Sequence, residues 1–313
     1  MTTAQTASNR KKRPAWVRYL VRYKWLYIML IPVLAYYAIF HYAPMYGATI
    51  AFKKFNIIKG IMKSPWIGFD NFTYLFALDK FKEVTWNTLW ISTLRLTFGF
   101  PFPIFIALLM NEVRSTGFKR TVQTVVYLPH FISWVILGGI LVNMLSIDGG
   151  VVNECLKFLG FKPIGFLSDS QYFVGTMVVS MIWKEFGWST IIYMAALAGV
   201  DPQLYEAARV DGASRFRQLI SISLPGISGA IVVVLILRLG SMMQAGFEQI
   251  FVLYNPSVYK VADIIDTFVY RLGLEEGKFA LASAVGLFKS LINFVLLVGA
   301  NMITRSMGKE GVF

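Results

Sequence analysis

Six apolar runs constrain this chain more than any other feature. They lie at about 25–45, 88–110, 122–145, 173–200, 227–253 and 280–304. A helix needs about 20 mostly apolar residues to cross the hydrocarbon of a bilayer, and each run supplies them. Lipid offers no partner for backbone N–H and C=O groups, so an apolar run of this length closes its hydrogen bonds internally as a helix. The expected fold is an all-α membrane protein with six transmembrane helices. Composition agrees: 15 % of the 313 residues are charged, against about a quarter in a typical soluble domain. The abundant Trp and Tyr suit two membrane interfaces.

The net charge of +13 raises the question of nucleic acid. The distribution answers it. The only dense basic run is Arg10-Lys11-Lys12-Arg13, followed by Arg18, Arg22 and Lys24, directly before the first apolar run. That placement reads as cytoplasmic anchors facing anionic lipid, and no nucleic-acid partner is expected. Residues 1–24 are then a basic cytoplasmic tail. Arg114, Lys119 and Arg120 fall inside, as do Arg209, Arg215 and Arg217. So does the C-terminal tail, 306–313, which puts both termini in the cytoplasm. The segment 25–85, holding the first span and an outer piece, is the exception, because its outer piece carries Lys53, Lys54, Lys59, Lys63, Lys80 and Lys82. Long loops translocate largely regardless of charge. Within it, "NFTYLFALDKF" from Asn71 has helical apolar spacing; the sequon Asn71-Phe72-Thr73 carries no weight alone. The first run is too long for a secretory signal and lacks a clear small-residue cleavage site, so an uncleaved anchor is expected. Residues 86–305 form the core domain.

Several chemistries find no residues. One cysteine, Cys155, rules out an internal disulfide. His41 and His130 have no companions at metal-ligand spacing, so no metal site is expected.

Between the fourth and fifth runs stands "EAARVDGASRFRQLISISLPG", Glu206 to Gly226, within a polar loop at 201–226. Asp201 suits an N-cap and Pro202 the first helical position. A short helix through Tyr205, Glu206, Ala207 and Ala208 is predicted to end at Gly212, where a left-handed residue is wanted. Asp211 and Arg215 have the spacing of a weak ion pair. A second helix from Ala213 is predicted to stop at Leu224-Pro225, because proline disfavours helix in the residue before it. On the residues alone two readings stand. The loop docks another surface, which the small Ala207 and Ala208 would let approach closely, or it lies amphipathically on lipid headgroups.

The spacing Glu206-Ala207-Ala208, Asp211-Gly212-Ala213, Ile222, Leu224-Pro225 resembles the EAA motif of permease subunits of bacterial ABC importers. "WKEFGWSTIIYMAALAGVDPQLYEAARVDGA" from Trp183 is similar to their carbohydrate-uptake branch. "YAPMYGATIAFKKFN" from Tyr42 and "YLPHFISWVILGGI" from Tyr127 resemble the group associated with oligosaccharides and polysaccharide fragments. The resemblance covers nearly the whole chain beyond the basic tail. It implies a type I ABC importer permease architecture in the bacterial cell membrane. It also implies that the short helix, with Tyr205, Glu206, Ala207, Ala208, Asp211, Gly212, Leu224 and Pro225, couples to a cytoplasmic ATPase. The implied partners are a second permease subunit, two ATPase subunits and an extracellular sugar-binding lipoprotein. No cofactor is expected in this chain; ATP and Mg belong to the ATPases. The absence of G-x-x-x-x-G-K-[ST] points the same way.

Arg95, Lys184, Glu185, Arg238, Glu248 and Lys289 fall in or near spans, where ionisable groups face the bundle interior or a wet cavity. Lys184 and Glu185 project about 100° apart on a helix, so they are not expected to pair. Trp183, Lys184, Glu185, Trp188, Tyr193, Gln244 and Glu248 are candidates for a sugar path: aromatic faces stack on sugars and polar groups bond hydroxyls. For any single aromatic the competing reading is packing between helices. Gly99, Pro101 and Pro103 predict a kink or a hinge in the second span. A self-sufficient secondary transporter is the alternative; it would need inverted repeats and an ion site, and neither is visible. A membrane enzyme would need a clustered acid-base or nucleophile constellation near one interface. Asp201, Glu206 and Asp211 cluster in the 201–226 loop, which the resemblance already explains.

Overall fold

The computed structural model describes Tyr19 and residues 22–306. The Arg10–Arg13 run and the tail from 307 lie outside the described residues. Among the described residues the fold is helical, and one isolated bridge joins Lys53 to Trp66.

Helix α1 spans Lys24–Phe52 and runs through Pro32 and a π turn at Ala38–Tyr42 without stopping. None of its apolar window is buried within the chain. A helix apolar all round suits lipid or a neighbouring span. Only its last turns pack, against the final helix, burying Ala51. Helix α2, Asp70–Ala77, forms where the spacing from Asn71 predicts it. The Asn71 amide donates to the carbonyls of Ala51 and Lys53 at 2.7 and 3.2 Å, so it ties α1 to α2. Three of the lysines that strain the charge rule have partners. Lys53 donates to the Ile61 carbonyl and lies over Trp66. Lys80 pairs with Glu83 and Asp263, and Lys82 with Asp79.

Helix α3 runs Asp79–Glu112, longer than the predicted span at its outer end. Gly99, Pro101 and Pro103 do not interrupt it; Phe100 stays helical and its N–H bonds the Leu96 carbonyl at 3.1 Å. The predicted third span, 122–145, is instead two helices, α4 at Thr116–Phe131 and α5 at Trp134–Leu145, bent by 102°. Pro129 sits in a tightened last turn, Ile132 and Ser133 are extended, and the Ser133 hydroxyl accepts the Ile136 N–H at 3.4 Å. A proline followed by an N-cap serine restarts the helix in a new direction, although the apolar run continues.

Helix α6, Val151–Phe158, is short. Helix α7, Ser170–Ala198, coincides with the fourth run, capped by Asp169, and packs on α3 and α4. At Gly187 a Cβ would overlap the Val126 carbonyl of α4; only glycine lets the two backbones meet.

Helix α8 is Pro202–Val210. Helices α9, Arg215–Gly226, and α10, Ser228–Gly240, meet at 59°. The predicted fifth span, 227–253, therefore ends early. Residues 241–246 turn, Gly246 sits at φ +90°, and α11, Phe247–Leu253, packs back on α5. The left-handed Gly246 opens the turn that the apolar run conceals. Helix α12, Ile265–Tyr270, precedes α13, Phe279–Ser306, which matches the sixth run.

Among the described residues three helices, α1, α3 and α13, are long and apolar enough to cross a membrane, and five elements qualify if each bent pair counts as one span. Helix α7, at 29 residues, has the length of a sixth but is interrupted by Lys184 and Glu185. One core near the start of α3 gathers Ala51, Leu75, Phe81, Ile265 and Val285; another near its end gathers Ile104, Leu108, Tyr193, Leu197 and Ile227. Between α3 and the segment before α12, the fully buried Asp263 accepts from Thr267 at 2.7 Å and Arg271 at 2.5 Å and pairs with Lys80 at 3.0 Å. Burial pulls the Arg271 guanidinium down, and the hydrogen bond and charge of Asp263 outweigh it, holding Arg271 above its ordinary value. The Asn87 amide adds bonds to the carbonyls of Lys260 and Asp263.

Candidate functional site

The polar loop folds as two helices at a glycine turn. The Asp201 carboxylate accepts the Gln203 N–H at 2.9 Å, and Pro202 takes the first helical position. At Gly212 the backbone goes left-handed, φ +74°, and the Ala213 N–H returns to the Ala208 carbonyl at 2.8 Å, closing the helix end. Ser214 caps α9 by accepting the Arg217 N–H at 3.3 Å.

Two expectations are corrected. Arg215 reaches Glu112, at the end of α3, at 3.8 Å rather than pairing with Asp211; the turn at Gly212 takes the two off a common helix. Nor does the second helix stop at Leu224-Pro225. A π turn at Leu219–Ser223 widens the helix ahead of the proline, which is accommodated, and the break comes at Ile227.

Glu206, Ala207, Asp211, Gly212, Leu224 and Pro225 are exposed, and Ala208 is half-buried. Beside them Leu204, Val210 and Phe216 also stand in the open. Tyr205 turns inward, and its phenolic oxygen lies 2.9 Å from the hydroxyl of Ser223, which is 1 % exposed. The loop thus presents a capped helix with mixed polar and apolar side chains, tied at its inner face to Ser223 near the end of α9. Such a surface has the composition of a protein contact.

The substrate-path candidates divide. Glu185 and Gln244 line one cavity of about 160 Å³ with Ser92, Arg95, Ser189 and Arg238. Tyr193, 1 % exposed, forms the wall of the adjoining space beside Pro103 and Arg238. Gln244 also borders a groove of about 710 Å³ that holds Glu248, Trp134 and Tyr270, where Asp266 and Lys289 form an ion pair. Trp183 stands apart, in an apolar cleft with Ile140, Met144, Phe166 and Tyr172.

Lys184 and Glu185, expected not to pair, approach to 3.7 Å. Both converge on His130. Lys184 donates to its carbonyl at 2.8 Å and lies over the Trp134 ring, while Glu185 Oε2 is 3.2 Å from its Nδ1. In sequence His130 is a lone histidine. The break after Pro129 delivers it here, and its ring stacks flat on Trp188 with centroids 4.7 Å apart. Trp188 thus contacts His130, which in turn contacts Glu185 of the cavity wall. Arg95 and Arg238 stood out only as intramembrane charges; the structure sets both in the cavity wall.

Residues 99–309 match the family of binding-protein-dependent transport system inner membrane components. The chain belongs to this family. As an inner-membrane transport component it is 46 % identical over 299 residues to protein LplB of Bacillus subtilis (strain 168), with 96 % of this chain and 94 % of that protein covered. It is 43 % identical over 305 residues to the polygalacturonan/rhamnogalacturonan transport system permease protein YteP of the same organism, covering 97 % and 95 %. Among solved structures it is similar to a chain of the bacterial alginate ABC transporter in complex with alginate pentasaccharide-bound periplasmic protein. The TM-score there is 0.88 and the identity 42 %, over 94 % of this chain and 99 % of that one. The all-α type I ABC importer permease architecture expected from the sequence is the architecture of this family member.

Proposed function

We propose that this chain is one permease subunit of a bacterial ABC importer that moves an oligosaccharide or polysaccharide fragment into the cell by alternating access. It is a transport subunit; the sugar crosses chemically unchanged. The observation that carries the reading is the exposed, doubly capped helix α8, bonded through Tyr205 to Ser223 near the end of α9, just before the bend into α10. In this reading α8 seats in a cytoplasmic ATPase, and both termini lie on that side. Two ATPase subunits bind and hydrolyse ATP with Mg, a second permease subunit completes the path, and an extracellular sugar-binding lipoprotein delivers the cargo. The exposed α1 suits contact with lipid and with that second permease. Shifting a two-state equilibrium from 1:99 to 99:1 takes about 5.5 kcal/mol of differential binding. A rigid capped helix can transmit such a bias; a loop that yields cannot.

The test is uptake into proteoliposomes holding this chain and its second permease, with the binding protein outside and ATP inside. Sugar should accumulate only when the ATPase subunits are present. Accumulation driven by an ion gradient without them would make the chain a secondary transporter.

A further inference from the structure

The cavity beside α7 has more positive charge than the chain neutralises. Its titratable lining is Arg95, Glu185 and Arg238. Glu185 is already engaged by Lys184 and His130. Among the described residues, neither arginine forms a salt bridge. Arg95 donates Nη1 to the Ala245 carbonyl, which fixes it in the wall. Arg238, which lines the cavity, donates Nη2 to Ser189 at 3.2 Å and forms no ion pair among the described residues. Ser92, 4 % exposed, lines the same space, and its hydroxyl has no partner among the described residues.

Guanidinium groups at membrane depth are costly and persist where they serve a path or a partner. Two of them around one space, beside a hydroxyl and the Gln244 amide that can each donate or accept, leave positive charge in need of an anion. A neutral sugar would leave the charge uncompensated. A carboxylate matches the guanidinium fork in charge and in planar geometry.

Resting on the importer reading above, we propose that Arg95 and Arg238 recognise carboxylate groups on the passing sugar, so that the cargo is an acidic, uronate-bearing oligosaccharide. Gln244 and Ser92 bond hydroxyls or carboxylate oxygens alongside. Glu185 keeps the site from holding the anion too tightly to release it.

The experiment uses the complete importer in proteoliposomes with its binding protein and labelled trimers of galacturonate and of mannuronate. The methyl esters of both, which keep size and linkage but lose the charge, are compared with them, as are xylotriose and maltotriose. Wild type is measured beside Arg95→Gln, Arg238→Gln and Arg238→Lys, with co-purification of all subunits as the folding control. One uronate trimer should enter about tenfold faster than its ester. Arg238→Gln should erase most of that preference and Arg238→Lys should restore part of it, the binding protein being the same throughout. If acid and ester enter equally, or only neutral trimers enter, or the preference survives both Gln variants, the arginines do not read carboxylate while the importer reading stands. Loss of the second permease from Arg238→Gln preparations would assign the arginine to a carboxylate of that subunit and overturn the proposal. If no trimer enters in an ATP-dependent way, the oligosaccharide importer reading itself fails.

Discussion

The phenolic oxygen of Tyr205 and the hydroxyl of Ser223 lie 2.9 Å apart, across the glycine turn that separates α8 from α9. Tyr205 and Ala208 are the half-buried residues of an otherwise exposed helix, and Ser223 closes the π turn ahead of Leu224-Pro225. A push on α8 therefore reaches the end of α9, next to α10, through a direct bond as well as through the chain. Removing it with Tyr205→Phe should weaken this link by about 1 kcal/mol. The subunits should still assemble, and ATP hydrolysed per sugar imported should rise severalfold. An unchanged ratio would show that the chain path alone carries the motion.

Gly187 lets α7 touch the backbone of α4 at Val126. Gly187→Val forces the two helices apart, an overpacking worth about 1–3 kcal/mol or more. The expected result is a lower thermal midpoint for the purified importer and loss of the His130–Glu185 contact that depends on the same crossing. Wild-type stability in this variant would mean that the helices have room.

Asp263 compensates Lys80 and Arg271 from a fully buried position. Arg271 Nη1 has no hydrogen-bond partner among the described residues. Asp263→Ala leaves Arg271 without its acid while Lys80 keeps Glu83; breaking a buried pair costs about 3–5 kcal/mol, and the partial exposure of both cations places this change toward the lower end. The importer should unfold at lower temperature or denaturant, with Asp263→Asn intermediate because the amide still accepts from Thr267.

Trp188 and Trp183 offer a matched comparison. Trp188 stacks on His130, which holds Glu185 at the cavity; Trp183 faces a separate apolar cleft. Losing the stack should free His130 at about 1 kcal/mol. Trp188→Ala should then raise the half-saturation of uptake about fivefold, and Trp183→Ala should change it less. The reverse order would place the sugar path on the other side of α7.

The spans were legible where apolar length and caps agree: α7 and α13 fall within a few residues of their runs, because about 20 apolar residues leave lipid no other solution. The loop was legible residue by residue at Asp201, Pro202 and Gly212, whose backbone demands are local. What escaped were the breaks inside continuous apolar runs. Ser133 caps a helix in the middle of one, and Gly246 turns another; hydropathy averages over both. The approach of Lys184 and Glu185 escaped because helical projection fixes only their Cβ directions, and their long side chains bend toward His130 on α4. Arg95 and Arg238 are far apart in sequence, so only the fold brings them to one cavity.

The most direct measurement is co-purification of the complex from membranes, comparing wild type with Gly212→Pro and Glu206→Ala and reading subunit content and ATP hydrolysis. The turn at Gly212 needs a positive φ that proline cannot adopt. The account predicts that wild type brings an ATPase and a second permease, and that Gly212→Pro loses the ATPase while keeping the permease pair. A chain that purifies alone and still moves solute, or a Gly212→Pro complex that keeps its ATPase with full coupling, would contradict it.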